Sequence, residues 1–120
     1  MILIIGGAYQ GKLDFAREQF GISEADIHNC RTGKIDFSRR CIYGIEEFTR
    51  SHSDPIGYFK THKGQWSDSI LICQDIFCGV VPMGAENRVW RQNTGRLCQY
   101  LAKEADQVIR IFCGLEQRLK

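Results

Sequence analysis

An uninterrupted apolar run, Ile2 to Ile5, leads straight into Gly6-Gly7-Ala8-Tyr9-Gln10-Gly11-Lys12-Leu13. A run this short and this apolar reads as a strand buried on both faces, and glycines directly after it turn the chain into a helix. The order strand, glycine loop, helix points to an α/β fold of the P-loop type, a mostly parallel sheet with helices on both faces. The G-x-x-x-x-G-K spacing carries its own chemistry. Gly6 and Gly11 allow backbone angles and a close approach that a side chain would block, successive N–H groups point inward, and Lys12 adds a positive charge. The helix that starts near Gly11 turns its positive dipole end to the same spot. Gly6, Gly7, Ala8, Tyr9, Gln10, Gly11, Lys12 and Leu13 are therefore the candidate phosphate or nucleotide cradle, and the alternative of a plain glycine turn fits the ordered elements less well. The last place of the pattern departs from it: Leu13 stands where a hydroxyl would ligand magnesium. Phosphate binding is thus better supported than phosphate chemistry.

The chain has 120 residues, enough for one hydrophobic core, so residues 1–120 read as a single domain. A net charge of +2 gives no electrostatic reason to expect nucleic acid or an anionic membrane. The six cysteines show neither a C-x-x-C pair nor zinc-type spacing, and most lie in apolar runs. They read as small core residues of a reducing compartment. With no secretory leader and no run as long as a bilayer span, the expected location is the cytoplasm.

Further along, Leu13, Ala16 and Phe20 recur at helical spacing and Gly21 is a natural stop. Residues 25–30 form a weak second strand, and 31–41 are too polar to assign. Ile42, Ile45, Phe48 and Thr49 outline a short helix. Ser53-Asp54-Pro55 interrupts it before another helix through Ile56, Phe59 and His62 to Gly64. Ser69 to Ile76 is a strand by its β-branched density, and it delivers Gln74 and Asp75 at its carboxyl end, where open α/β sheets bind ligands. Cys78 to Pro82 is a loop. Val89, Trp90, Asn93, Leu97, Leu101 and Ala105 trace one face of a long helix, Val108 to Cys113 is a last buried strand, and Gly114 turns the chain into a short tail.

Four segments together resemble one family. Ile2 to Leu13 is similar to I-L-V-T-G-G-A-R-S-G-K-S. Gln74 to Pro82, Q-D-I-F-C-G-V-V-P, echoes N-E-V-G-x-G-I-V-P. Arg88 to Gln99, R-V-W-R-Q-N-T-G-R-L-C-Q, is similar to R-x-F-R-D-x-x-G-R-x-N-Q, and Ala105 to Lys120 resembles A-D-E-V, an apolar run and G-L-x-x-R-L-K. These are motifs of the adenosylcobinamide kinase / adenosylcobinamide-phosphate guanylyltransferase family of cobalamin biosynthesis, and the chain resembles a shortened, divergent member with a reduced number of strands.

The resemblance implies ATP or GTP as the nucleotide, a corrinoid as the second substrate, and a homo-oligomer of the ring-like kind with sites between subunits. It implies phosphoryl or nucleotidyl transfer with Lys12 and Asp75 as the catalytic pair, Asp75 as a weak metal ligand, and Arg91 and Arg96 as phosphate clamps. The departures fall on functional positions. Leu13 removes a magnesium ligand, Asp75 replaces glutamate, Phe77 replaces glycine and Cys98 replaces asparagine. The family's D-C-L-T-x-W strand, with its second carboxylate, has no counterpart in residues 31–66. Its H-x-x-x-R-P-x-x-W motif fits none of His28, His52 or His62, and His52 and His62 read as surface residues. Magnesium needs only one or two protein ligands beside phosphates, so Asp75 and a water can partly replace the hydroxyl. Two readings follow: a reduced transferase, or a catalytically weakened relative that binds nucleotide or phosphate in a regulatory or assembly role.

Overall fold

The computed structural model describes residues 1–76 and 84–120. The loop expected at Cys78 to Pro82 lies outside the described residues, as does Phe77. β1 (Ile2–Gly6) lies between β4 (Ile70–Gln74) and β5 (Gln107–Phe112) and pairs in parallel with both, Leu3 standing opposite Leu71 and Val108. All three carry the apolar runs that strands covered on both faces require. β3 (Cys41–Tyr43) extends the sheet beyond β4 and β2 (Ile27–Asn29) beyond β3, both parallel. On the far side β6 (Leu115–Arg118) pairs antiparallel with β5, giving the order β2-β3-β4-β1-β5-β6.

Alternation of side chains along the strands divides the core in two. Leu3, Ile42, Leu71, Cys73 and Val108 point to one face, where they meet α2 (Ile45–Arg50), α3 (Pro55–Thr61), α4 (Lys63–Trp66) and α5 (Ala85–Glu104) through Ile45, Phe48, Phe59, Trp66, Leu97 and Leu101. Ile4, Cys41, Ile70, Ile72, Ile109 and Ile111 point to the other, covered by Phe15 and Ala16 of α1 (Lys12–Phe20) and by Ile22. Each large side chain so buried contributes about 1.5–3 kcal/mol. Trp66 is buried without an orphaned donor, since its Nε1 donates to the Phe59 carbonyl at 2.7 Å.

Several expectations are corrected. Ile42 belongs to β3, not to a helix beginning there: Gly44, at φ +79°, breaks the chain and α2 starts at Ile45. Residues Glu24–Asp26 form a 3₁₀ turn, so the second strand is only Ile27–Asn29. The tail after Gly114 is an edge strand, β6, reached through a turn in which both Cys113 and Gly114 have positive φ. Val89 does not face the core but is 53% exposed, and α5 buries Thr94, Leu97, Cys98 and Leu101 instead. His52 and His62 are half-buried: His52 stacks on Phe48 and His62 on Tyr58. Cys30, Cys41, Cys73 and Cys98 are buried as expected, whereas Cys113 is exposed and Cys78 lies outside the described residues. No helix among the described residues is long and apolar enough to cross a membrane.

Candidate phosphate-binding loop

The carboxyl ends of β1, β3, β4 and β5 come out on one edge of the sheet, and the loop from Gly6 to Lys12 runs along that edge. Gly6 is demanded by sterics rather than by its backbone angles: a Cβ there would stand 2.7 Å from the Ile111 carbonyl of β5 and 3.1 Å from the Lys12 Cγ. Gly11 is demanded by conformation, with φ +90° as it caps α1. Tyr9 shares the left-handed region at φ +60° with its ring wholly exposed, a backbone choice that costs a bulky residue about 1–2 kcal/mol.

The loop is pinned from both sides through its carbonyls. Gly6 O accepts from the Asp75 N–H at 2.7 Å, and Gln10 O from the Gly114 N–H at 2.9 Å. The Gln10 side chain adds a bond from the Cys113 N–H, so the β5–β6 turn grips the loop. Its amides are left over. Among the described residues no group accepts from the N–H of Ala8, Tyr9, Gln10 or Gly11. The N–H groups of Lys12 and Leu13 open the first turn of α1 and have no intrahelical partner by geometry.

Lys12 is buried, 5% exposed, and its Nζ donates to the Gly7 carbonyl at 2.7 Å. Burial lowers its pKa from the usual lysine range, and the nearby groups Glu46, Cys73 and Asp75 pull it back up by smaller amounts. Beside the lysine a cavity of about 410 Å³ is lined by Ala8 to Asp14 together with Tyr43 from β3 and Gln74 from β4. A smaller one of about 140 Å³ lies between Gly7, Gln10, Asp75 and Arg110.

The structure thus brings together Gly6, Gly7, Ala8, Tyr9, Gln10, Gly11, Lys12 and Leu13 with Asp75. It does not bring Arg91 or Arg96 to them. Arg91 lines a separate cavity on α5 with Arg88 and Val89, Arg96 is exposed on the same helix, and neither lines the two cavities at the loop.

Glu46 escapes the sequence reading. It lies in the first turn of α2 and is 8% exposed. Its Oε1 accepts from the Gln74 N–H at 2.8 Å, just where β4 ends. Its carbonyl accepts from Trp90 Nε1 at 2.7 Å, which ties α2 to α5, and from the Thr49 hydroxyl of its own helix at 2.8 Å. After burial, the Glu46 charge is the next cause raising the Tyr43 phenol and the Cys30 thiol, the latter to about 12. A buried glutamate two residues beyond a left-handed glycine was the only available signal, and burial does not show in a residue type that usually faces water.

A parallel α/β domain with a glycine loop between its first strand and first helix is the class that this geometry defines. The chain belongs to the cobinamide kinase / cobinamide phosphate guanyltransferase family, whose model matches residues 45–119. The matched span contains Glu46, Asp75, Arg91 and Arg96 but begins well after the loop, so the loop assignment stands on its own geometry. No curated protein matches the chain.

Proposed function

We propose that the chain binds a nucleoside triphosphate, ATP or GTP, by its phosphates at Gly6–Leu13 and transfers a phosphoryl group, or a nucleotidyl group, to a corrinoid in cobalamin biosynthesis. The observation that carries this reading is the pairing of unsatisfied loop amides with a buried lysine: donors without acceptors, beside a cation that burial makes costly, suit an anion that satisfies both. Family membership supplies the reaction class. In a phosphoryl transfer, the bond between the terminal phosphorus and its bridging oxygen breaks, a bond to the acceptor hydroxyl oxygen forms, and the hydroxyl proton leaves to solvent. Catalysis is then mainly positioning and charge stabilisation, the work assigned here to Lys12 and the amides.

The donor set suits magnesium held chiefly through the phosphates and its own waters, with Asp75 as the protein carboxylate. Among the described residues no cluster of three or more His, Cys, Asp or Glu could hold a metal. When bound, the ion would offset the negative charge of the phosphates, and Asp75 is the carboxylate that would help to hold it. Leu13 lines the cavity where a ligand hydroxyl would help, and this favours a second reading, a weakened relative that binds nucleotide without turning it over. Arg91 and Arg96 stay candidates for clamping phosphate from α5.

ATP and GTP titrations by calorimetry, with and without magnesium, test the site. Lys12→Ala is expected to lower affinity at least about tenfold, the loss of one charge-assisted contact. Unchanged affinity in that variant would remove the cradle. Leu13→Ser separates the two readings: a rise in turnover supports the transferase, and a change in affinity alone supports the weakened relative.

A further inference from the structure

Two of the buried cysteines meet across the boundary between sheet and helices. Cys73 lies near the end of β4 and is wholly buried; Cys98 lies on α5 and is 8% exposed. Their Sγ atoms stand 3.7 Å apart, with the Cys98 thiol directed at the Cys73 sulfur, inside the core that β4 shares with α5. Cys30, in the same core, and Cys41, on the opposite face of the sheet, are as deeply buried, but neither makes a sulfur contact among the described residues. Packing accounts for a small apolar side chain at either position. It does not ask for sulfur at both, and Cys98 stands where the family resemblance leads one to expect asparagine.

We propose that Cys73 and Cys98 are a reversible oxidation site, a buried dithiol that a peroxide converts to a disulfide joining the end of β4 to α5. The sulfurs of a disulfide are about 2.0 Å apart, so this pair must close by about 1.7 Å, a movement of the size that rotation about χ1 gives a sulfur. Cys98 keeps the only exposed surface of the two and is the sulfur that meets the oxidant. It attacks one peroxide oxygen, the O–O bond breaks, and the departing hydroxide takes up the thiol proton as water. Cys98 is left as a sulfenic acid, oxidised by two electrons while the peroxide is reduced. The Cys73 sulfur then attacks the Cys98 sulfur, the S–O bond breaks, and the leaving hydroxide takes the Cys73 proton as a second water. A dithiol reductant reverses the change by exchange. Cys73 immediately precedes Gln74, so the bond ties to α5 the strand end that supplies one wall of the loop cavity. Neither sulfur lines the cavities at the loop, and the proposal stands apart from the phosphate-binding reading.

The test treats the folded full chain with hydrogen peroxide, blocks the remaining thiols with iodoacetamide in denaturant, and maps the tryptic peptides by mass spectrometry. Cys73 and Cys78 share one tryptic peptide, so Cys78→Ser is used to assign the link; should that variant not fold, fragment spectra of the unaltered chain assign it instead. The expected result is a peptide linked through Cys73 and Cys98 as the main oxidised form of both residues, returned to two alkylatable thiols by dithiothreitol. Cys98→Ser is expected to leave Cys73 alkylatable after the same treatment. Cys98 ending as a sulfinic or sulfonic acid beside a free Cys73 would overturn the proposal. So would Cys73 linked to Cys30, or both thiols intact when the exposed Cys113 has been oxidised.

Discussion

Lys12 shows how a single side chain can be costly to the fold and useful to a site. Its pKa is lowered by burial more than its neighbours raise it, so in the folded state the ammonium is held at a net disadvantage. The sign follows from linkage. Between the folded value and about 10.5 the unfolded chain binds more protons, so stability rises with pH through that window and the full cost of the buried charge is present below it. Lys12→Met, which keeps the stem and discards the charge, is therefore expected to melt no lower than the unaltered protein at pH 7. Its advantage should shrink as pH is raised toward 10.5. Thermal melts at several pH values check this, and a Met variant that is clearly less stable at neutral pH would show the lysine to be a structural group. Gly6 and Gly11 were legible as loop residues from spacing alone, but for different reasons: one avoids the Ile111 carbonyl, the other adopts φ +90°. Glu46 was not legible, since its burial comes from β4 and α5 closing over it and not from any local pattern.

Secondary structure was legible where an element is long or evenly apolar. β1, β4, β5, α1 and α5 follow from continuous runs or from helical spacing. β3 has three residues and no period to detect, and Ile42 happens to lie three positions before Ile45, the same spacing that a helix would give. β6 was missed because all four of its residues are exposed and its one apolar residue, Leu115, gives no alternation to read; Gly114 and its partner strand create it. The junction of α2 and α5 could not be inferred either, as it depends on Trp90 reaching the Glu46 carbonyl at 2.7 Å and the Thr49 hydroxyl at 3.1 Å, with Arg50 lying 4.0 Å over the indole. Trp90→Phe keeps an aromatic ring but removes the indole donor together with part of the ring area. Urea denaturation is expected to show a loss of at least about 1 kcal/mol, the net value of one such bond. No loss would mean that the two helices are held by apolar packing alone.

For the molecule as a whole, six strands in the order β2-β3-β4-β1-β5-β6 bring five parallel carboxyl ends, and with them the start of α1, to a single edge. That edge, with Lys12 in it, is the feature which most distinguishes this chain from an inert α/β domain of the same size. Family membership rests on residues 45–119 and the loop on residues 6–13, so the two lines of support for nucleotide transfer are independent of each other. Phe112, Leu115 and Leu119 are exposed large apolar side chains on the β5–β6 side of the sheet. The central claim is that main-chain amides of the loop take the phosphates. It is tested most directly by following ¹⁵N amide signals as ATP or GTP is added with magnesium. The account predicts that the largest shifts fall on Ala8 to Leu13 and vanish in Lys12→Ala. Shifts confined to the α2–α5 side, with these amides unmoved, would contradict it.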